Sequence, residues 1–227
     1  NHPAKSTDIA VEKKDSCVNF LSNFTAKNIY TLNYDLLLYW SYITRLDLGF
    51  ADGFGNTKDS LHEGYVVYNQ KRFKVHYLHG GLHLFDKGSD IIKETNTNSS
   101  QKLIEKIKEN LERKTYPIFI SEGSSDQKLT KIKHNPYLNH CYKSLCGISG
   151  DIVVLGTYLK KNDNHILEAL MENKVKNIFL GVSRSESPDI ERIRTRMDEF
   201  NKDKSILKQK KLHLYNYNTA NVWNNDQ

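Results

Sequence analysis

Short apolar runs alternate with amphipathic stretches along most of this chain, and the two patterns predict strands and helices in turn. From Val11 to Phe24, Cys17, Phe20, Leu21 and Phe24 fall on one face at helical spacing. Asn28-Ile29-Tyr30-Thr31 reads as a short buried strand. It runs into Asn33-Tyr34-Asp35 and an apolar helix, LLLYWSYITRL, with Asp35 where an N-cap belongs. Leu48 to Asn69 is dotted with glycine and keeps neither period, so residues 47–72 are expected to form an irregular insertion. FKVHYL, Phe73 to Leu78, is the next strand. Phe85 to Asn98 reads as a loop, and Asn98 or Ser99 is expected to cap a charged helix that ends at Lys114.

From Pro117 the alternation becomes regular. Strands are predicted at Pro117 to Ile120, Ile152 to Leu155, Asn177 to Leu180 and Leu212 to Tyr215. Between them lie a helical stretch opened by a capping box at Ser124-Ser125-Asp126-Gln127 and bent near Pro136, a helix from Asn164 to Asn173, and another from Pro188 to Phe200. Continuous apolar strands alternating with helices predict an α/β fold with a parallel sheet covered on both faces. Ligands of such sheets bind at the carboxyl ends of the strands.

Composition narrows the class. At 227 residues, 38% hydrophobic and 26% charged, the chain suits one sizeable core rather than a disordered segment. No apolar run approaches the roughly 20 residues of a membrane span, and the polar start has no signal-peptide core. The net charge of +6 is mild for this length, and in the basic stretch QKLIEKIKENLERK interleaved acids point to a solvated helix face rather than a nucleic-acid surface. Cys17, Cys141 and Cys146 are odd in number and lack CxxC spacing. That predicts a reducing, cytoplasmic setting, with no disulfide framework, no four-cysteine zinc site and no bound metal.

The candidate chemistry collects at predicted strand ends. TLNYD follows Ile29-Tyr30, HGG follows Tyr77-Leu78, and GTYLKKNDNHI follows Val154-Leu155. If these strands are parallel neighbours, Thr31, Asn33, Asp35, His79, Gly156 and Asp163 converge on one rim, which favours a site. Each residue also has a plain structural role open to it. His79 could be a satisfied, half-buried histidine and Gly80-Gly81 a turn, while Asn33 and Asp35 could be turn and cap residues. Gly156 could serve close packing, and Asp163 could cap the next helix. His83, four residues after His79, is expected on a loop away from the rim.

T-x-N-x-D at the end of one strand, HG after a later one, and G-x-x-L…D-x-H-I opening a helix together resemble the sirtuin-like superfamily. The closer likeness is to the bacterial sirtuin-like NADases that act in antiviral defence, and it runs from about Ile29 to the end of the chain. The resemblance implies a single Rossmann-like domain over residues 1–227 that takes NAD as its substrate. It implies Asn33 and His79 as the reacting pair, with His79 acting on a ribose hydroxyl or on water and Asn33 positioning the attacking water. Asp35 would support the nicotinamide pocket or fix the turn. Thr31, Gly156, Thr157 and Asp163 would approach the ribose and phosphate portions.

The residue types suit such a reaction. The nicotinamide leaving group is already cationic and needs no general acid, and histidine supplies a base of near-neutral pKa. By the same resemblance the chain is expected to be an NAD-depleting effector of abortive infection, held in check by a regulatory partner or by self-association. Two departures keep rivals open. Three unpaired cysteines cannot build the zinc module of sirtuin deacylases. The first glycine is Gly49, so the N-terminal strand and glycine-rich loop of the family are expected in an upstream segment of about 50–100 residues. A non-catalytic module that senses NAD or ADP-ribose, or that scaffolds a protein, is the alternative.

Overall fold

The computed structural model describes the chain apart from residues 1, 2, 4, 25–27, 56–64, 96–101 and 224–227. It divides into two compact units, Asn1–Ser121 with Val222–Gln227, and Glu122–Asn221.

The first unit opens with α1 (Val11–Ser22), which buries Cys17, Val18 and Leu21. β1 (Ile29–Thr31) leads to α2 (Leu37–Tyr42). The helix predicted to reach Leu46 ends earlier and continues as 3-10 turns to Leu48, with Arg45 outside helical geometry. The Ser41 and Thr44 hydroxyls donate back to the carbonyls of Leu37 and Ser41, at 2.8 and 2.7 Å. Such bonds compete with the helical ladder where β-branched residues already weaken it.

β2 (Asp52–Gly55), β3 (Tyr65–Phe73), β4 (Val75–Tyr77), β5 (Gly80–Asp86) and β6 (Ile91–Glu94) follow. α3 (Leu103–Glu112) and β7 (Pro117–Phe119) complete the unit. The helix starts at Leu103, and the expected caps at positions 98 and 99 lie outside the described residues.

Two sheets result. β1 pairs with β4 in parallel, and a five-stranded antiparallel sheet has the order β2-β3-β6-β5-β7. The second sheet changes several expectations. Residues 47–72 hold β2 and most of β3, and the stretch read as a loop from Phe85 holds the β5–β6 hairpin. The polar DKGSD tip misleads there. Gly88 adopts φ +83° and donates to Asp86 Oδ1 at 2.8 Å, closing a turn between strands that bury Phe85, Ile91 and Ile92. The predicted Phe73–Leu78 strand splits at Lys74, because the N–H groups of Lys74 and Val75 both bond the Ala51 carbonyl. β7 pairs antiparallel with β5 at the sheet edge, where Pro117 needs no ladder donor.

The second unit keeps the alternation that its pattern predicts. α4 (Ser125–His134) and α5 (Pro136–Cys146) precede β8 (Ser149–Val154), α6 (Asn164–Glu172), β9 (Lys174–Val182), α7 (Pro188–Asn201) and β10 (Lys211–Asn216). The three strands are parallel in the order β10-β9-β8, joined through α6 and α7. The capping box forms as expected, with Ser124 Oγ accepting from Gln127 N–H at 3.3 Å and Gln127 Oε1 accepting from Ser124 N–H at 2.9 Å. Pro136 starts a new helix rather than bending one. The chain is thus a mixed α/β protein with two small parallel sheets and one antiparallel sheet, not a single parallel sheet.

Candidate active site

In the first unit β1 and β4 are parallel neighbours with Thr31 opposite Tyr77, and the Thr31 carbonyl accepts from Leu78 N–H at 2.9 Å. Asn33 and His79 therefore stand two residues beyond the same rung on adjacent strands. The turn that carries Asn33 is held at several points. Thr31 Oγ1 accepts from Asn33 N–H at 3.1 Å, and the Tyr34 carbonyl accepts from Leu82 N–H at 2.8 Å, tying the turn to β5. Asp35 Oδ1 accepts from Leu37 N–H at 2.9 Å and closes a turn, but the N-cap of α2 is Leu36, one residue after the expected position, and no side chain caps the helix. Asn33 is exposed, whereas His79 is 4% exposed.

The glycine pair after His79 has a steric cause. Gly80 sits at φ +79°, and a Cβ there would fall onto the Ile118 carbonyl oxygen of β7. A Cβ on Gly81 would lie 2.9 Å from Cε1 of His83. His79 thus leaves β4 through a turn that only glycine permits.

His83 is not on a loop away from the rim. It lies within β5 at 0% exposure, its ring 4.8 Å from that of Tyr39 and 5.2 Å from that of Tyr77. β5 is buried on both faces here, with Leu84 and Phe85 also at 0% exposure, and His83 lies beside a buried polar core. There Lys93 Nζ donates to both Asp52 oxygens at 2.8 and 2.6 Å, and Tyr42 OH donates to Asp52 at 2.6 Å. Burial favours a protonated Asp52 carboxyl, but the Lys93 charge and its hydrogen bonds outweigh this and hold it below the usual range. Burial, then the same ammonium, pushes His83 down to about 3. Among the described residues neither ring nitrogen of His83 finds a hydrogen-bond partner.

A pH dependence follows. Unfolded His83 takes a proton near its ordinary 6.5, whereas the folded ring stays neutral until about 3. Stability is full above 6.5 and falls as pH drops through that window, by up to about 1.4 kcal/mol per pH unit from this group. The His83→Leu variant is expected to lose less stability than the wild type between pH 6.5 and 4.5 in urea denaturation. Parallel curves would show that His83 does not titrate on unfolding.

In the second unit Gly156 and Thr157 follow the carboxyl end of β8. Gly156 adopts φ +73° with nothing within 4 Å of a Cβ built there, so it serves the turn rather than close packing. Thr157 Oγ1 accepts from Leu159 N–H at 3.1 Å. Tyr158 OH accepts from Ser183 N–H at 2.9 Å and links the ends of β8 and β9.

Asp163 precedes α6 without capping it, because its carboxylate takes Lys128 Nζ at 2.8 Å. Ser125 Oγ supplies the missing cap, accepting from His165 N–H at 2.7 Å and lying 3.1 Å from His165 Nδ1. Tyr142 OH donates to the His165 carbonyl at 3.1 Å. This buried cluster escaped sequence reasoning. Ser125 and Lys128 stand in and after a capping box, and that reading gave them no further role. The D-x-H-I spacing was its only visible sign. Thr31, Asn33, Asp35 and His79 thus belong to the first unit, and Gly156, Thr157 and Asp163 to the second.

Among the described residues no helix is long and apolar enough to cross a membrane. The family model described as "Domain of unknown function (DUF4917)" matches residues 1–223. No curated protein and no solved structure matches the chain.

Proposed function

The chain belongs to the DUF4917 family, and for this member we propose hydrolysis of NAD at the nicotinamide–ribose bond. The observation that supports this most is the parallel pairing of β1 with β4, which sets Asn33 and His79 just beyond one rung. The resemblance of T-x-N-x-D and HG to sirtuin-like NADases gives that pair its chemistry, and a Rossmann-type placement of the dinucleotide is part of the same proposal.

In this mechanism water held by the Asn33 amide attacks the anomeric carbon as the C–N bond breaks. The bonding electron pair returns to the pyridinium ring, which leaves as neutral nicotinamide, so no acid is needed. The water keeps its oxygen on the ribose and gives up a proton, taken by the His79 ring and passed to solvent. The balance is NAD⁺ and water to nicotinamide, ADP-ribose and a proton. Histidine suits the step because its ordinary pKa lies near neutrality. An NAD-depleting role in antiviral defence, restrained by a partner protein or by self-association, extends the same reading.

One observation favours a non-catalytic module. The Leu32–Asp35 turn leaving β1 contains no glycine, the residue that lets backbone approach a pyrophosphate closely. A single assay separates the readings. Full-length protein incubated with NAD is expected to release nicotinamide and ADP-ribose in equal amounts. Saturable binding of NAD or ADP-ribose without turnover would establish the sensing module, and turnover that requires an acyl-lysine peptide would establish a deacylase.

A further inference from the structure

A cavity of about 460 Å³ lies between the five-stranded sheet and α3 in the first unit, and its lining has an unusual polarity. Its floor comes from β3 and β6, where Tyr65 lies opposite Glu94 and Val67 opposite Ile92. Residues directly opposite in an antiparallel pair, and those two apart on a strand, share a face. Its wall is a helix stripe of Lys106, Glu109, Asn110 and Arg113, at i, i+3, i+4 and i+7.

A helix on a sheet ordinarily turns an apolar stripe inward. α3 buries Leu103 and Ile107, but it buries Lys106 and Asn110 as well, and the sheet meets them with Glu94 at 7% exposure. Such groups are costly to bury without hydrogen-bond partners. Part of the demand is met inside the protein. Asn110 Nδ2 donates to Glu94 Oε1 at 3.0 Å, Lys87 Nζ donates to Asn110 Oδ1 at 3.3 Å, and Lys106 Nζ donates to the Thr95 carbonyl at 2.8 Å. Burial raises the Glu94 carboxyl and lowers the Lys106 ammonium.

Among the described residues, the second Glu94 oxygen accepts no hydrogen bond, and neither Lys87 nor Arg113 forms an ion pair. The cavity, which Asp90 and Glu109 also line, therefore offers the Lys87 and Arg113 cations, a Glu94 carboxyl oxygen without a hydrogen bond, and an apolar floor of Tyr65, Val67 and Ile92. Its volume lies within the roughly 300–1,000 Å³ of small-molecule sites.

The geometry points to a binding site for a nucleoside 5′-monophosphate with an amino-bearing base. Arg113 and Lys87 take the phosphate as charge-assisted donors. Glu94 accepts from the exocyclic amino group, as carboxylates do from base edges, and the base lies on the apolar floor. The Asn110 amide holds Glu94 in place and is a positioning residue. The site is independent of NAD hydrolysis, because none of these residues belongs to the Asn33–His79 pair.

Calorimetric titration of the full-length protein with AMP, CMP and GMP tests it, with UMP, the free nucleosides and inorganic phosphate as further arms. At least one amino-bearing monophosphate is expected to bind more tightly than UMP, its nucleoside or phosphate alone. Arg113→Ala is expected to weaken that binding about tenfold or more. Arg113 is exposed, so this variant keeps its fold, which circular dichroism verifies. Glu94→Gln is expected to narrow the preference over UMP, and His79→Ala to leave binding unchanged. The assignment is overturned if no monophosphate binds, if phosphate alone binds as well, or if binding is lost in His79→Ala but kept in Arg113→Ala.

Discussion

His79→Ala and Asn33→Ala are each expected to reduce NAD cleavage by about 10²–10⁴-fold, the usual contribution of a positioned acid–base group. The two variants differ in structural risk. Asn33 is exposed and its amide serves no cap, so truncation costs the fold little. His79 is 4% exposed at the turn into β5, so His79→Gln, which keeps much of the volume, is its companion. A base role has a signature that packing lacks. Wild-type turnover should fall on the acid side as the histidine takes up a proton, and that limb should vanish in His79→Gln while residual activity stays flat. Imidazole added to His79→Ala should restore part of the rate. Turnover at the wild-type level in both Asn33 and His79 variants, with NAD still cleaved, would move the chemistry elsewhere.

Local signals were legible where one short-range rule decides. Ser124 and Gln127 announce α4, Pro188 opens α7, and the apolar runs at Ile152 and Asn177 overlap β8 and β9. The adjacency of Thr31, Asn33 and His79 was also legible, because it needs only β1 and β4 to pair in parallel. What escaped depends on partners distant in sequence. The antiparallel sheet recruits Asp52–Gly55 and Ile91–Glu94, four-residue strands too short to show a period. The same sheet buries His83, although its sequence neighbourhood looks like a polar turn. Lys128 reads as one of several lysines on a helix, yet it is 3% exposed because Asp163 lies 35 residues away to receive it. Pairing at that range leaves no mark in a local pattern.

Lys93→Met is expected to destabilise the protein by about 3–5 kcal/mol, the cost of stripping a buried ion of its partner. Lys93 and Asp52 are 7% and 3% exposed, and the ammonium reaches both carboxylate oxygens. It also lies 5.2 Å from the Tyr39 ring centroid and 5.3 Å from that of Phe54. Methionine replaces the aliphatic stem but not the charge, leaving Asp52 with the Tyr42 hydroxyl, one hydrogen bond for a full negative charge. The damage falls at the centre of the sheet, since β6 is the middle strand and Lys93 pairs with Val66 of β3 and Leu84 of β5.

The pH dependence has a defined sign. With Lys93 present, Asp52 is held low, so its contribution to stability is present at neutral pH and is lost as pH falls through that lowered value. Without Lys93, burial acts unopposed and raises the carboxyl. The variant then relieves its penalty by taking a proton on acidification, and its deficit against the wild type should shrink between pH 7 and pH 4.5. Adding Asp52→Asn removes the stranded charge and should recover a large share of the loss at pH 7, where the single variant is worst. Urea midpoints for the wild type, both single variants and the double variant complete a cycle whose coupling energy isolates the pair. A loss below about 1 kcal/mol, with no coupling, would mean that the pair behaves like an exposed one and that water reaches Asp52. A large coupling would also bear on catalysis. β5 begins at Gly80, directly after His79, so disorder in the sheet's centre should reach the proposed base and lower NAD turnover in Lys93→Met along with stability.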